Sequence, residues 1–221
     1  MKLAFKDFER VISFTPGVAI ELVIENKSCF FKTVSGLSTQ IDGEPGDAVL
    51  SIGNKPVELS RYADMILQFA PFSLNRKSLL TKLTNAIEKR AVSAELYMRA
   101  QSILAEIESL VQDAADDFPF EIDCSKIAIG PILRSIGIEV SEDNKGTLEK
   151  IINYMEIVRE LDKDKLFITV NMRTYFSDDE LSSFINTACL HDFKVLLLES
   201  TSGKLLKNTK RYTIDEDLCE F

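Results

Sequence analysis

Two short apolar runs, separated by the length of one helix, constrain this chain more than any other feature. Lys165-Leu166-Phe167-Ile168-Thr169-Val170-Asn171 and the segment Lys194 to Glu199, which contains Val195-Leu196-Leu197-Leu198, are of strand length and lack polar alternation. Such runs fit strands covered on both faces, as in parallel sheets. Between them Ser177-Asp178-Asp179-Glu180 has the form of a capping box, with Glu180 three residues after Ser177. The side chains at these two positions can satisfy amides that open a helix, and this helix is expected to run to about Leu190. Strand, helix and strand at this spacing make a βαβ unit with a right-handed crossover, and therefore a parallel sheet.

The N-terminal part adds to that sheet. Val18 to Glu25 is rich in β-branched and aliphatic residues and follows the turn signal Thr15-Pro16-Gly17. Asn26 is placed to cap a helix over Ser28 to Leu37; Asp42 to Gly46 reads as a loop and Asp47 to Ile52 as a short strand. The middle of the chain differs. No glycine interrupts residues 54 to 129. Leu79, Leu80, Leu83 and Ile87 form one stripe, and Leu96, Ala100, Ile103, Leu104, Ile107 and Leu110 continue it. This predicts a helical hairpin or one bent helix with a narrow apolar seam, used as core or as an oligomer contact. The stripes of residues 79 to 110 exceed what one hairpin can hide, which predicts a stable oligomer. A helix is expected from Lys126 to Ser135, stopped by Gly137, then a strand Ile138-Glu139-Val140. A further helix, Thr147 to Leu161, would be opened by Ser141 or Asp143. The fold class is α/β: a parallel-sheet head from residues 1–70 and 138–221, with a helical leg domain, 71–137, inserted.

Composition excludes several functions. The 221 residues carry 26 basic and 35 acidic side chains, a net charge of −9. A protein coated in positive charge is excluded, although a local basic face is not. No run approaches the roughly 18 apolar residues needed to cross a bilayer, and Met1 to Asp7 lacks the apolar core of a signal peptide. A cytoplasmic protein without membrane partners is expected. Cys29, Cys124, Cys189 and Cys219 lie far apart and read as reduced, mostly buried thiols; the one histidine, His191, reads as a helix-terminal residue. The first strand runs into Glu25-Asn26-Lys27-Ser28-Cys29 with no glycine, where a P-loop needs Gly-x-x-x-x-Gly-Lys-Ser/Thr to cradle phosphates. No catalytic motif is present, and no catalytic residues are expected.

Two groups of residues remain as candidates. Asp116, Asp117, Glu121 and Asp123 are hard oxygen donors on one stretch around Phe118-Pro119-Phe120. They suit calcium by type but lack the EF-hand spacing, so a solvated acidic loop and a divalent-metal site both remain open. Basic residues gather at Arg76, Lys77, Lys82, Lys89 and Arg90, and again at Lys204, Lys207, Lys210 and Arg211. The second group follows Ser200-Thr201-Ser202-Gly203, which reads as a mobile loop. A solvated face and a phosphate-contacting patch are the alternatives for each.

Five segments in order carry a resemblance: Arg134-Ser135-Ile136-Gly137-Ile138-Glu139-Val140, Thr147-Leu148-Glu149-Lys150-Ile151, Lys165 to Asn171, Tyr175-Phe176-Ser177-Asp178-Asp179-Glu180 and Val195-Leu196-Leu197-Leu198-Glu199. In order and spacing the chain resembles the type II-A CRISPR-associated spacer-acquisition proteins of the Csn family. The resemblance implies a degenerate P-loop-like head without a working nucleotide site, and a helical leg domain. It also implies a non-enzymatic homotetrameric ring that binds double-stranded DNA from its ends. The implied partners are the CRISPR integrase and the RNA-guided nuclease of the same system. Calcium is implied through acidic residues before the Gly137 helix. Glu121 and Asp123 match those positions, but Pro119 and Pro131 replace two others, leaving open a site shifted toward Asp116 and Asp117 or no site. Family lysines do not align, so the DNA-contacting candidates, Arg76, Lys77, Lys82 and Lys89 first and Lys204 and Lys207 second, rest on the basic clusters alone. A ring reconciles acidity with DNA: duplex carries one charge per about 1.7 Å of axis, so cations facing a hole suffice. The alternative is an oligomeric scaffold for adaptation proteins that never touches DNA.

Overall fold

A computed structural model describes residues 1–120, 122, 127–142, 146–162 and 165–221. The chain divides into two units, Met1–Ser73 with Asn144–Phe221, and Leu74–Asp143.

The first unit is α/β. Its main sheet has five parallel strands in the order β6 (Ala63–Ile66), β7 (Leu166–Val170), β8 (Lys194–Glu199), β3 (Ala19–Ile24) and β9 (Thr209–Ile214). The strands β3 and β7 are buried at every position, which is why they read as continuous apolar runs. Within each strand alternate residues serve opposite faces. Ile20, Leu22, Ile24, Ile168, Leu196 and Leu198 enter one cluster with Leu37 of α1 (Lys27–Ile41). Phe167, one residue out of phase, packs edge-on against Phe193 on the other face. There α7 (Asp178–Leu190) lies on β3 and β8 and against α6 (Thr147–Leu161), burying Leu181, Phe184 and Ile185 with Ile151 and Met155. The predicted βαβ unit is β7-α7-β8, and the capping box forms: Ser177 Oγ accepts from Glu180 N, and Ser177 N donates to the Glu180 carboxylate at 2.9 Å.

A second, antiparallel sheet covers the α1 side in the order β2 (Ile12–Ser13), β1 (Lys2–Phe5), β4 (Ala48–Ile52) and β5 (Lys55–Val57), with a short helix α2 (Leu59–Tyr62) before β6. Leu3 and Leu50 are paired across it and reach the same core as β3.

In the second unit α3 (Lys77–Ala91) packs on α5 (Ile129–Ser135), with Arg134 donating to Glu88 at 2.9 Å. The hairpin is thus two separate helices, α3 and α4 (Tyr97–Ala115). Of the 19 residues of α4 only Ala100 is buried, while Met98 and Leu110 are 77% and 67% exposed.

Three expectations are corrected. Ile138–Val140 is not a strand: the Asn75 amide occupies the Val140 backbone, accepting from its N–H at 2.7 Å and donating to its carbonyl at 3.1 Å. The Glu142 carboxylate also accepts from the Leu74 and Asn75 amides, at 2.7 and 3.2 Å. Helix α5 begins at Ile129, three residues after the expected start, which falls outside the described residues. Helix α6 is opened by Gly146, whose amide donates to Glu149 at 3.3 Å, and not by Ser141; Asp143 lies outside the described residues.

Candidate functional site

Ligands of parallel α/β sheets bind beyond the carboxyl ends of the strands, so the junction of β3 with α1 decides whether this sheet can hold a nucleotide. In a phosphate site the first-turn amides of the helix face a ligand. Here Asn26 fills that role: its Oδ1 accepts from Cys29 N at 3.0 Å, and its Nδ2 donates to the Glu216 carbonyl at 2.9 Å. The chain after β9 is therefore tied to the helix start. Glu25 N is also engaged, donating to Ile214 O at 2.9 Å. An entering phosphate would displace these bonds close to the Glu25 carboxylate, with no lysine-bearing glycine loop to receive it. The end of β7 is likewise occupied. Asn171 takes a left-handed conformation, φ 54°, and its Oδ1 accepts from Ser200 N at 2.9 Å, tying β7 to the residue after β8.

Beside that junction lies a polar network that the sequence reading missed. Glu21, in the middle of β3, is 1% exposed. Its carboxylate accepts from Arg173 Nε at 2.7 Å and from Arg211 Nε at 2.8 Å. Arg211 stands opposite Glu21 on β9. Arg173 stands in a 3-10 turn, Met172–Thr174, directly after β7, and bonds Asp178 through Nη1 at 2.7 Å and the Lys204 carbonyl through Nη2 at 2.8 Å. Burial opposes the charge on Arg173, but Glu21, Asp178 and Glu199 together hold its pKa above the usual value. Glu199, also 1% exposed, accepts from Met172 N at 2.9 Å and Arg173 N at 3.4 Å. Burial pushes its carboxyl up to about 7 against the pull of those amides. A usable signal was present in the sequence: a glutamate inside an otherwise apolar strand demands cations from its neighbours.

The two basic clusters are distributed differently from their sequence grouping. Arg76 precedes the first turn of α3 and is half-buried, as is Lys82, whereas Lys77 and Lys89 are exposed. At 3.6 residues per turn Lys82 and Lys89 share a face, and Lys77 is turned roughly 140° away. Arg90 lies 4.0 Å from Glu95. The cluster read as one mobile loop is divided by β9. Lys204 and Lys207 are exposed on the loop before it; Lys210 lies over the Tyr212 ring at 4.8 Å, and Arg211 points inward to Glu21. The alternation of Thr209-Lys210-Arg211-Tyr212-Thr213-Ile214 carries this strand, but the charge run masks it.

Asp116 and Asp117 are exposed on the turn after α4, beside a hollow lined mainly by Ala115, Phe118, Pro119, Phe120 and Ile122. Glu121 and Asp123 lie outside the described residues. Among the described residues no three His, Cys, Asp or Glu side chains are grouped to hold an ion, and two adjacent carboxylates supply too few donors for calcium. His191, which showed no partner in the sequence, closes α7 with its Nδ1 3.0 Å from Glu156 of α6. Cys29 and Cys189 are half-buried and Cys219 is exposed, contrary to the expectation of mostly buried thiols; Cys124 is outside the described residues. No described helix is long and apolar enough to cross a membrane.

The chain thus combines a parallel α/β unit, whose first strand-to-helix junction is held by Asn26 and the Glu216 carbonyl, with a second, helical unit. Comparison with known proteins identifies the family. The family model described as CRISPR-associated protein (Cas_Csn2) matches residues 40–218, and the chain belongs to that family. The CRISPR-associated protein Csn2 of Enterococcus faecalis is 22% identical over 166 residues, covering 75% of this chain and 73% of that protein. The family match leaves out β1, β2, β3 and most of α1.

Proposed function

We propose that this chain is a non-catalytic ring protein that binds double-stranded DNA ends in CRISPR spacer acquisition. Family membership supports an adaptation role within a CRISPR system. The observation that carries the rest of the reading is the closed β3–α1 junction, where Asn26 and the Glu216 carbonyl occupy the place of a phosphate. An α/β unit without nucleotide chemistry is left with binding, and the exposed Lys77, Lys89, Lys204 and Lys207 supply groups that phosphates attract. The uncovered apolar positions of α4 supply a surface for assembly into a homotetramer. The integrase and the RNA-guided nuclease of the same system are its protein partners. Contacts are to the DNA backbone, so affinity depends on salt and not on base sequence.

The test is an electrophoretic shift with linear and closed circular duplex. A threaded ring binds the linear form and fails on the closed one; equal binding removes threading, and no binding of either at low salt leaves the scaffold role. Reversing two of Arg76, Lys77, Lys82 and Lys89 to glutamate should weaken linear duplex binding more than about tenfold, whatever the sequence. The proposal extends to calcium at Asp116, Asp117, Glu121 and Asp123. A bound ion relieves carboxylate repulsion and stabilises the folded state, so calcium should raise Tm. A Tm unchanged by both calcium and chelator removes calcium from the reading.

A further inference from the structure

We propose that Arg173 is a positioning residue for DNA binding: it clamps the loop between β8 and β9 to the buried sheet so that Lys204 and Lys207 are presented in a fixed arrangement. The inference rests on the DNA-binding reading above and adds a residue that no basic cluster contains.

The argument starts from the three directions of the guanidinium. Nε is spent on Glu21 in β3, Nη1 on Asp178 in the first turn of α7, and Nη2 on the backbone carbonyl of Lys204. The first two bonds join elements that the fold already holds together. The third reaches out of the network to an exposed loop. Glu21 does not need Arg173 alone, because Arg211 already meets its other oxygen at 2.8 Å. The backbone of Arg173 is itself anchored, since the Glu199 carboxylate accepts from its amide and from that of Met172.

Gly203 supplies an independent observation. A Cβ at this position would fall 2.4 Å from Arg173 Nη1 and 2.9 Å from Cζ, so the loop backbone lies directly against the guanidinium. The far side of the loop is held separately: Leu206 is 6% exposed, Thr209 Oγ1 donates to its carbonyl, and Asn208 Nδ2 donates to Asn186 at 3.0 Å. Lys204 and Lys207 therefore flank a buried anchor, with the backbone of Lys204 fixed and both side chains in water. A loop ordered before binding spares the complex the entropy of ordering it. Lysine cannot replace Arg173 here, because an ammonium lacks the planar fork that meets three partners at once.

The experiment uses the full-length protein and a linear duplex of about 30 base pairs, read by fluorescence anisotropy, with backbone hydrogen exchange measured in parallel. The double reversal of Lys204→Glu and Lys207→Glu tests the reading itself and should weaken binding more than about tenfold. Arg173→Lys and Gly203→Ala leave both lysines in place. Each should weaken binding about threefold to tenfold and speed exchange across residues 201–208, while exchange in β7 stays as in the wild type. Should Arg173→Lys fail to fold, Gly203→Ala decides alone, since it keeps every charge. Wild-type affinity in both variants beside a weakened double reversal overturns the positioning role and leaves the DNA reading intact. Weakened binding with unchanged exchange at 201–208 overturns it as well. An unaffected double reversal removes the loop from the DNA interface and the positioning role with it.

Discussion

Phe167 in β7 and Leu110 in α4 are both apolar residues in segments that the sequence patterns as apolar, yet one is 1% exposed and the other 67%. The parallel sheet needs cover on both faces, and α1 with the small antiparallel sheet on one side and α6 with α7 on the other provide it. The helix α4 needs cover on one stripe only, and within this chain it buries just Ala100. Apolar patterning thus marks core in one unit and unsatisfied surface in the other. What separates them is the number of neighbouring elements, which no local spacing encodes.

The largest expected effect sharpens that contrast. Phe167→Ala should cost about 4 kcal/mol in urea unfolding, the range for emptying a filled aromatic site. A loss of only a few tenths would mean that the sheet face is less tightly covered than its burial implies.

Next in size is Glu199. Its carboxyl holds its proton more tightly folded, up to about 7, than unfolded, near 4.5. The stabilising contribution of the protonated form is complete below the unfolded value and is lost as pH rises through the folded one, a change of about 3 kcal/mol. Stability should therefore fall between about pH 5 and pH 8, and Glu199→Gln should flatten that slope whatever its absolute stability. An unchanged slope in the variant would assign the pH dependence to other groups.

Smaller still is the cap of α7. Ser177→Ala removes the hydroxyl that Glu180 N donates to, and should cost about 1 kcal/mol by thermal unfolding. The smallest effect returns to α4. Leu110→Ala should change the stability of the dissociated chain by less than about 0.5 kcal/mol, whereas Leu110→Glu should lower the assembled mass seen by light scattering. If Leu110→Ala destabilises as much as Phe167→Ala at every protein concentration, the contrast between the two units fails.

Much of the sheet was legible because β3, β7 and β8 are mostly apolar runs of strand length and α7 begins with paired side-chain and backbone caps. The strands β6 and β9 were not. Ala63-Asp64-Met65-Ile66 is too short to show a period, and in β9 the alternation is overlaid by Lys210 and Arg211. The small antiparallel sheet was half visible: Asp47 to Ile52 reads as a strand, but Lys2–Phe5 is only four residues long and opens on a lysine. At the site, the sequence showed what β3 lacks, a glycine-rich phosphate loop. It did not show that Glu21, Arg173 and Arg211, separated by 152 and 190 positions from Glu21, meet on one face. Charge clusters were read along the chain, whereas this one is assembled from two strands and the turn after a third.

The strand order also sets a timetable for folding during synthesis. β3 is made early, but both of its neighbours are made last: Ile20 pairs with Leu196 across 176 residues and with Lys210 beyond that. At the usual 5 to 20 residues per second, β3 waits roughly 10 to 35 seconds on the ribosome before either partner exists. For most of that interval, until α7 is made, its aliphatic residues have α1 and the antiparallel sheet for shelter, which the nascent chain can build from its first 57 residues. The early antiparallel sheet then serves as a holding surface for the central strand, and interrupted synthesis before β8 leaves β3 open along both edges.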